Sequence, residues 1–104
     1  MEERQYRYEM HLHTAEGSRC ADRTVEEQLT LYRDLGYAGV CLTDHFLNSG
    51  SCTLRDREGL TWDEIISHIM LPYHKAQKIA ADWDMDVFFG FEYTCGGTDF
   101  CIYG

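Results

Sequence analysis

Two capping boxes, Thr24-Val25-Glu26-Glu27 and Thr61-Trp62-Asp63-Glu64, constrain the fold of this 104-residue chain more than any other feature. In such a box the threonine hydroxyl accepts from the backbone N–H three residues on, and the glutamate reaches back to the threonine N–H. Each box therefore marks a helix start. After the first, Val25, Leu29, Tyr32 and Leu35 recur at helical spacing and Gly36 supplies a stop. After the second, Trp62, Ile65, Ile69, Tyr73, Ala76, Ala80 and Trp83 share one helical face. Pro72 lies inside that pattern, removes one backbone donor, and is expected to kink or split the helix near His68 to Leu71.

The segments around these helices read as strands. Tyr6 to His11 alternates apolar and polar residues, and Ala38-Gly39-Val40-Cys41-Leu42-Thr43 is a short apolar run suited to a buried strand. Asn48 to Gly59 is polar and contains glycine, which predicts a loop. Asp86 to Glu92 is a third strand, and a Gly96-Gly97 turn leads to a fourth over Asp99 to Tyr103. The order strand, helix, strand, helix, strand, strand predicts a mostly parallel α/β sheet with right-handed crossovers. Functional residues in such sheets gather where strands end and loops begin. Four strands are too few to close a barrel, and the sequence stops at Gly104 directly after one of them. The expectation is one partial domain over residues 1–104, the N-terminal part of something larger, with an open sheet edge that favours self-association.

Composition narrows the partners. An apolar content of 44% is that of a folded domain. The formal net charge of −9 argues against nucleic acid or an anionic membrane as the main partner. It also disfavours a phosphorylated substrate unless bound cations invert the local field. No stretch approaches the apolar length of a membrane span, and Met1-Glu2-Glu3-Arg4-Gln5 has no signal-peptide character, so a cytoplasmic protein is expected. The five cysteines (Cys20, Cys41, Cys52, Cys95, Cys101) are odd in number and form no Cys-x-x-Cys, which points to free thiols rather than a zinc ribbon or redox motif.

The candidate ligands fall at strand ends. His11 and His13 close the first strand, and residues two apart on a strand point to the same face, roughly 6–7 Å apart. Asp44 and His45 follow the second strand in Leu42-Thr43-Asp44-His45, and Glu92 closes the third in Gly90-Phe91-Glu92. Parallel neighbouring strands would bring all of these to one place. Mixed imidazole and carboxylate donors suit zinc, manganese or iron.

His-x-His-Thr, then Thr-Asp-His after a helix, then Gly-x-Glu after another helix, resembles the PHP (polymerase and histidinol phosphatase) domain family from about Tyr8 to Gly104. The resemblance implies a distorted (β/α)7, TIM-like barrel with two or three divalent metal ions at the carboxyl ends of its strands. It implies hydrolysis of a small phosphorylated substrate by a metal-activated water. It places His11, His13, His45 and Glu92 among the metal ligands, with Glu92 bridging. Asp44 and His45 form the candidate catalytic pair, in which Asp44 either orients an imidazole or forms a turn. The family's further ligand after the first pair is missing: Arg19 falls near that place. Glu16 either substitutes as a metal ligand or is a solvated loop carboxylate. Arg19 either helps to hold a phosphate or faces solvent. His68 and His74 read as ordinary helix surface, and Asp99 as a strand-start residue. The alternative function is a catalytically incomplete metal-binding or interaction module.

Overall fold

The computed structural model describes residues 6–54, 56–95 and 98–103. The first five residues, the Gly96-Gly97 turn and Gly104 lie outside the described residues. The element order is β1 (Tyr8–Leu12), α1 (Val25–Asp34), β2 (Gly39–Leu42), α2 (Trp62–Ile79), a short 3-10 turn (Ala80–Asp82), β3 (Asp86–Cys95) and β4 (Thr98–Tyr103). The four strands form one sheet in the order β1-β2-β3-β4, curled into half a barrel. β1, β2 and β3 run parallel, and β4 returns antiparallel along β3.

Both capping boxes form. Thr24 Oγ1 accepts from Glu27 N at 3.2 Å while Glu27 Oε1 accepts from Thr24 N at 3.1 Å. Thr61 and Glu64 make the same reciprocal pair, each bond at 3.2 Å. The chain leaves α1 through Leu35 into Gly36, as the spacing predicts. The proline expectation needs correction in one respect: α2 is not split but runs unbroken from Trp62 to Ile79 with Pro72 inside it. Pro72 is buried, so packing holds the turn in which its ring removes the N–H bond to the His68 carbonyl.

Both helices pack on one face of the sheet. The core joins Leu12, Val40 and Leu42 from the strands to Val25 and Leu29 of α1 and Ala76 of α2. Each of the larger aliphatic side chains contributes about 1.5–3 kcal/mol by leaving water. Tyr32, Tyr73, Ile79, Trp83, Met85 and Val87 surround this cluster. The predicted apolar stripes overreach at their ends. Leu35 is 56% exposed as the α1 C-cap and Trp62 is 62% exposed in the first turn of α2.

β1 contains the irregularity that sets the site. Glu9 pairs with Val40, but the next pair is Leu12 with Leu42. Three steps along β1 thus match two along β2, so one extra residue is accommodated at Met10–His11, a β-bulge. Glu9 Oε1 accepts from the His11 backbone N–H at 3.2 Å, which satisfies a donor at the bulge. Glu9 also lies beside Tyr32 of α1, whose phenol pKa is pushed up by burial and by that carboxylate. Before the bulge, then, the Glu9 side faces the helices. After it, Leu12 takes that side and His11 turns to the opposite face.

Among the described residues no helix is long and apolar enough to cross a membrane.

Candidate metal centre

The backbone converges first. Thr43 N donates to Leu12 O at 2.8 Å, and Leu12 N donates to Thr43 Oγ1 at 3.0 Å, which ties the end of β1 to the end of β2. Beyond Thr43, Glu92 N donates to Asp44 O at 3.0 Å and Phe46 N to Glu92 O at 2.9 Å. These bonds continue the β2–β3 pairing as a parallel bridge between His45 and Glu92. Gln28 of α1 holds the His13 carbonyl at 2.8 Å. The ends of three parallel strands are thereby fixed within one small volume.

The side chains meet around Glu92, which is only 3% exposed. Its Oε1 makes a very short contact with His11 Nε2 and lies 3.4 Å from His13 Nε2. Its Oε2 lies 3.1 Å from His45 Nδ1. The imidazoles also touch one another. The His11 and His13 ring centroids are 5.1 Å apart, edge to face, and those of His13 and His45 are 4.4 Å apart. Four residues expected from the sequence to be ligands, His11, His13, His45 and Glu92, are therefore together, and the two carboxylate oxygens face different imidazoles.

Burial lowers the His13 pKa from the ordinary imidazole value, and the neighbouring His45 adds to the effect, while Glu92 opposes it. A neutral ring keeps a nitrogen lone pair for a cation. Three buried side-chain nitrogen or oxygen atoms among the described residues lack a hydrogen-bond partner: His13 Nε2, His45 Nδ1 and Gln28 Oε1. Two of the three are imidazole nitrogens aimed at the one carboxylate. Both lie near Glu92 without a hydrogen bond to it, so their burial is only partly offset, and a cation ligated there would use these lone pairs. Two imidazole nitrogens beside one carboxylate are donors that could hold a divalent cation.

Asp44 does something other than orient an imidazole. Its Oδ1 accepts from Thr14 N at 2.6 Å and from Ser18 Oγ at 2.8 Å, and its Oδ2 accepts from Thr14 Oγ1 at 2.7 Å. Ser18 Oγ in turn accepts from His45 N at 3.0 Å. Gly17 lies so close that a Cβ there would sit 2.4 Å from Asp44 Cγ. Asp44 thus fastens the loop after β1 to the end of β2. Burial raises its pKa, and the hydrogen bonds from Thr14 and Ser18 oppose the rise.

Glu16 is not at the cluster. Its carboxylate accepts from Val25 N at 3.0 and 3.2 Å and pairs with Lys75 Nζ at 2.9 Å. The free N–H groups of the α1 N-terminus and a lysine of α2 draw it away, so the expectation that it ligates metal is replaced by a helix-capping role. Arg19 is exposed and its backbone N–H donates to Ser51 O. His74 is exposed, as expected, but His68 is half-buried and its Nε2 lies 3.0 Å from Thr53 Oγ1, so it anchors the Asn48–Gly59 loop. Asp99 is exposed near the start of β4 and accepts from Thr94 Oγ1 at 2.8 Å.

Two neighbours were not expected from the sequence. Cys20 Sγ lies 3.4 Å from His13 Nδ1, and Cys101 sits directly across the β3–β4 pair from Glu92. The hairpin register could have revealed Cys101, since facing residues of an antiparallel pair share a side. Nothing in the sequence signals Cys20, because the loop from Thr14 to Arg23 follows no regular period. Cys20, Cys41, Cys52 and Cys101 are all free thiols.

Comparison with known proteins finds no family, characterised protein or solved structure that matches this chain.

Proposed function

We propose that this chain is a PHP-type metal-dependent phosphoesterase domain, that its curled sheet is a segment of a distorted (β/α)7 barrel, and that His11, His13, His45 and Glu92 hold divalent cations. The observation that carries the metal reading is the pair of buried, unpaired imidazole nitrogens facing the Glu92 carboxylate. The order of the three motifs carries the choice of a small phosphorylated substrate.

When bound, divalent cations supply Lewis-acid activation of water and charge neutralisation for an anionic substrate. The chain's own residues do the rest. Glu92 turns one oxygen toward His11 and His13 and the other toward His45, an arrangement suited to bridging two cations. His13 stays neutral because it is partly buried, which keeps a lone pair available at neutral pH. Asp44 and Ser18 hold the His45 backbone and the loop after His13, so these imidazoles need no rearrangement to receive a cation.

The test is metal analysis of the purified chain together with hydrolysis of p-nitrophenyl phosphate in zinc or manganese, with Glu92→Gln as the control. Bound metal and a turnover that Glu92→Gln abolishes are the expected results. Absence of bound metal refutes the reading. A second reading, a metal-binding module that acts by association, is favoured by exposed Tyr8, Met10, Phe88 and Tyr103. Metal retention with no hydrolysis of p-nitrophenyl phosphate or other phosphomonoesters would select it.

A further inference from the structure

The geometry points to two of the cysteines as metal ligands: Cys20 and Cys101 complete two adjacent donor sets, one on each side of the His/Glu cluster, and make the centre a thiolate-containing, zinc-selective pair of sites. This inference rests on the metal reading given above for His11, His13, His45 and Glu92.

Two sets of three donors meet at Glu92, whose second oxygen also faces His45. One ligand atom from each of His13, Cys20 and His45 lies within 4.8 Å of the other two, and the same holds for His11, Glu92 and Cys101. The first set offers two nitrogens and one sulfur. The second offers one nitrogen, one oxygen and one sulfur. Either is three protein donors, the number of a catalytic rather than a four-ligand structural zinc site.

Neither cysteine is where it is by core packing. Cys41 and Cys52 are buried, whereas Cys20 is exposed and Cys101 is half-buried. The placement of each also has a structural cause. Cys20 follows the Thr14–Ser18 loop that Asp44 fastens, which delivers its sulfur to the Nδ1 side of His13 while Nε2 faces Glu92. Cys101 is the direct cross-strand partner of Glu92 in the β3–β4 hairpin. A second observation points to a ligand beside His45, a partner of Cys20: its Nδ1 is buried and has no hydrogen-bond partner, whereas the His13 atom in the same state, Nε2, lies on the Glu92 side.

Sulfur donors change which cation the centre favours. Thiolates are soft ligands that select zinc, whereas manganese and magnesium prefer oxygen. Each thiol releases its proton to solvent on ligation, and no electron is transferred.

Cobalt(II) reports thiolate ligation directly through a sulfur-to-cobalt charge-transfer band in the near ultraviolet. Titration of the metal-free chain with cobalt is expected to give that band, reduced to about half in Cys20→Ser and in Cys101→Ser and absent in the double variant. Zinc is expected to displace cobalt and erase the band, while manganese at the same concentration leaves it. Each serine variant is expected to lose zinc affinity beyond the roughly 10- to 100-fold that removal of a merely supporting partner costs. As a measurement on the unaltered chain, zinc is expected to slow alkylation of Cys20 and Cys101 by iodoacetamide at least tenfold, roughly the fraction of time a ligated thiol is withheld. Cobalt binding with visible d–d absorption but no charge-transfer band overturns the thiolate ligands and leaves the histidine centre standing. So does alkylation at unchanged rates with zinc bound. Absence of any cobalt or zinc binding overturns both.

Discussion

Replacing Asp44 with alanine deletes the acceptor of three hydrogen bonds at once. Thr14 N, Thr14 Oγ1 and Ser18 Oγ all donate to its carboxylate, at 2.6–2.8 Å. Thr14 and Ser18 are fully buried, so water cannot readily replace the lost oxygens. A hydrogen bond to a charged group contributes about 1.5–3 kcal/mol, and a buried donor left unpaired costs about 1–3 kcal/mol. Three donors sharing one carboxylate are not additive, which puts the total at roughly 3–6 kcal/mol. That is a large share of the stability of an ordinary small domain, about 5–15 kcal/mol. With a urea slope near 1.5 kcal/mol per molar, the midpoint should fall by roughly 2–4 M. Asp44→Asn keeps the shape and one acceptor oxygen, so its loss should be near a third of that, about 1–2 kcal/mol. The assay is urea unfolding followed by circular dichroism, on the metal-free chain so that cation binding does not enter. An Asp44→Ala midpoint within about 0.5 M of the parent would refute the view that this carboxylate fastens the loop.

Other outcomes follow from the same geometry. Glu92→Gln removes a charge buried among three imidazoles, so the metal-free chain should melt no lower than the parent, while the rise in Tm on adding zinc should largely disappear; thermal melts with and without zinc check both halves. Gly90→Ala puts a Cβ 2.7 Å from Ile102 O, and because that is backbone, β4 must move away from β3. The expected cost is about 1–3 kcal/mol by urea unfolding, with a weaker zinc complex as the Cys101 side shifts. Burial lowers the folded-state pKa of His13, so between that value and the unfolded value of 6.5 the unfolded chain binds more protons and stability rises with pH. The His13 contribution is therefore present above about pH 6.5 and lost on acidification through the lowered value. Metal-free Tm measured against pH should show this drop, and His13→Gln should flatten it.

The sequence made the fold legible where local chemistry is self-contained. A capping box is closed within four residues, so Thr24–Glu27 and Thr61–Glu64 could be read without knowing what surrounds them. Strand ends placed His11, His13, His45 and Glu92 at one end of the parallel sheet, but the β-bulge that turns His11 toward the others left no mark in the sequence. Of the kink or split expected at Pro72, the split does not occur, because the packing that keeps α2 continuous lies on other elements. Glu16 misled because its partners, Val25 N and Lys75, depend on where two helices dock. The acceptor role of Asp44 was neither of the two alternatives read for it, an imidazole orienter or a turn, since Thr14 and Ser18 lie some 26–30 residues away in sequence. Cys20 was invisible because an irregular loop has no period from which to read a direction.

The extra residue in β1 has a consequence for how this strand can vary. It divides five residues into two spatial reading frames: Glu9 obeys the frame of the helices, and His11 begins the frame of the His/Glu cluster. A deletion of Met10 would leave every chemical group of the centre in the sequence, yet would rotate the frames against each other, sending either His11 and His13 or Leu12 to the wrong side of the sheet. Substitutions at Met10 should be tolerated far better than its removal. In this strand residue count carries information that residue identity does not.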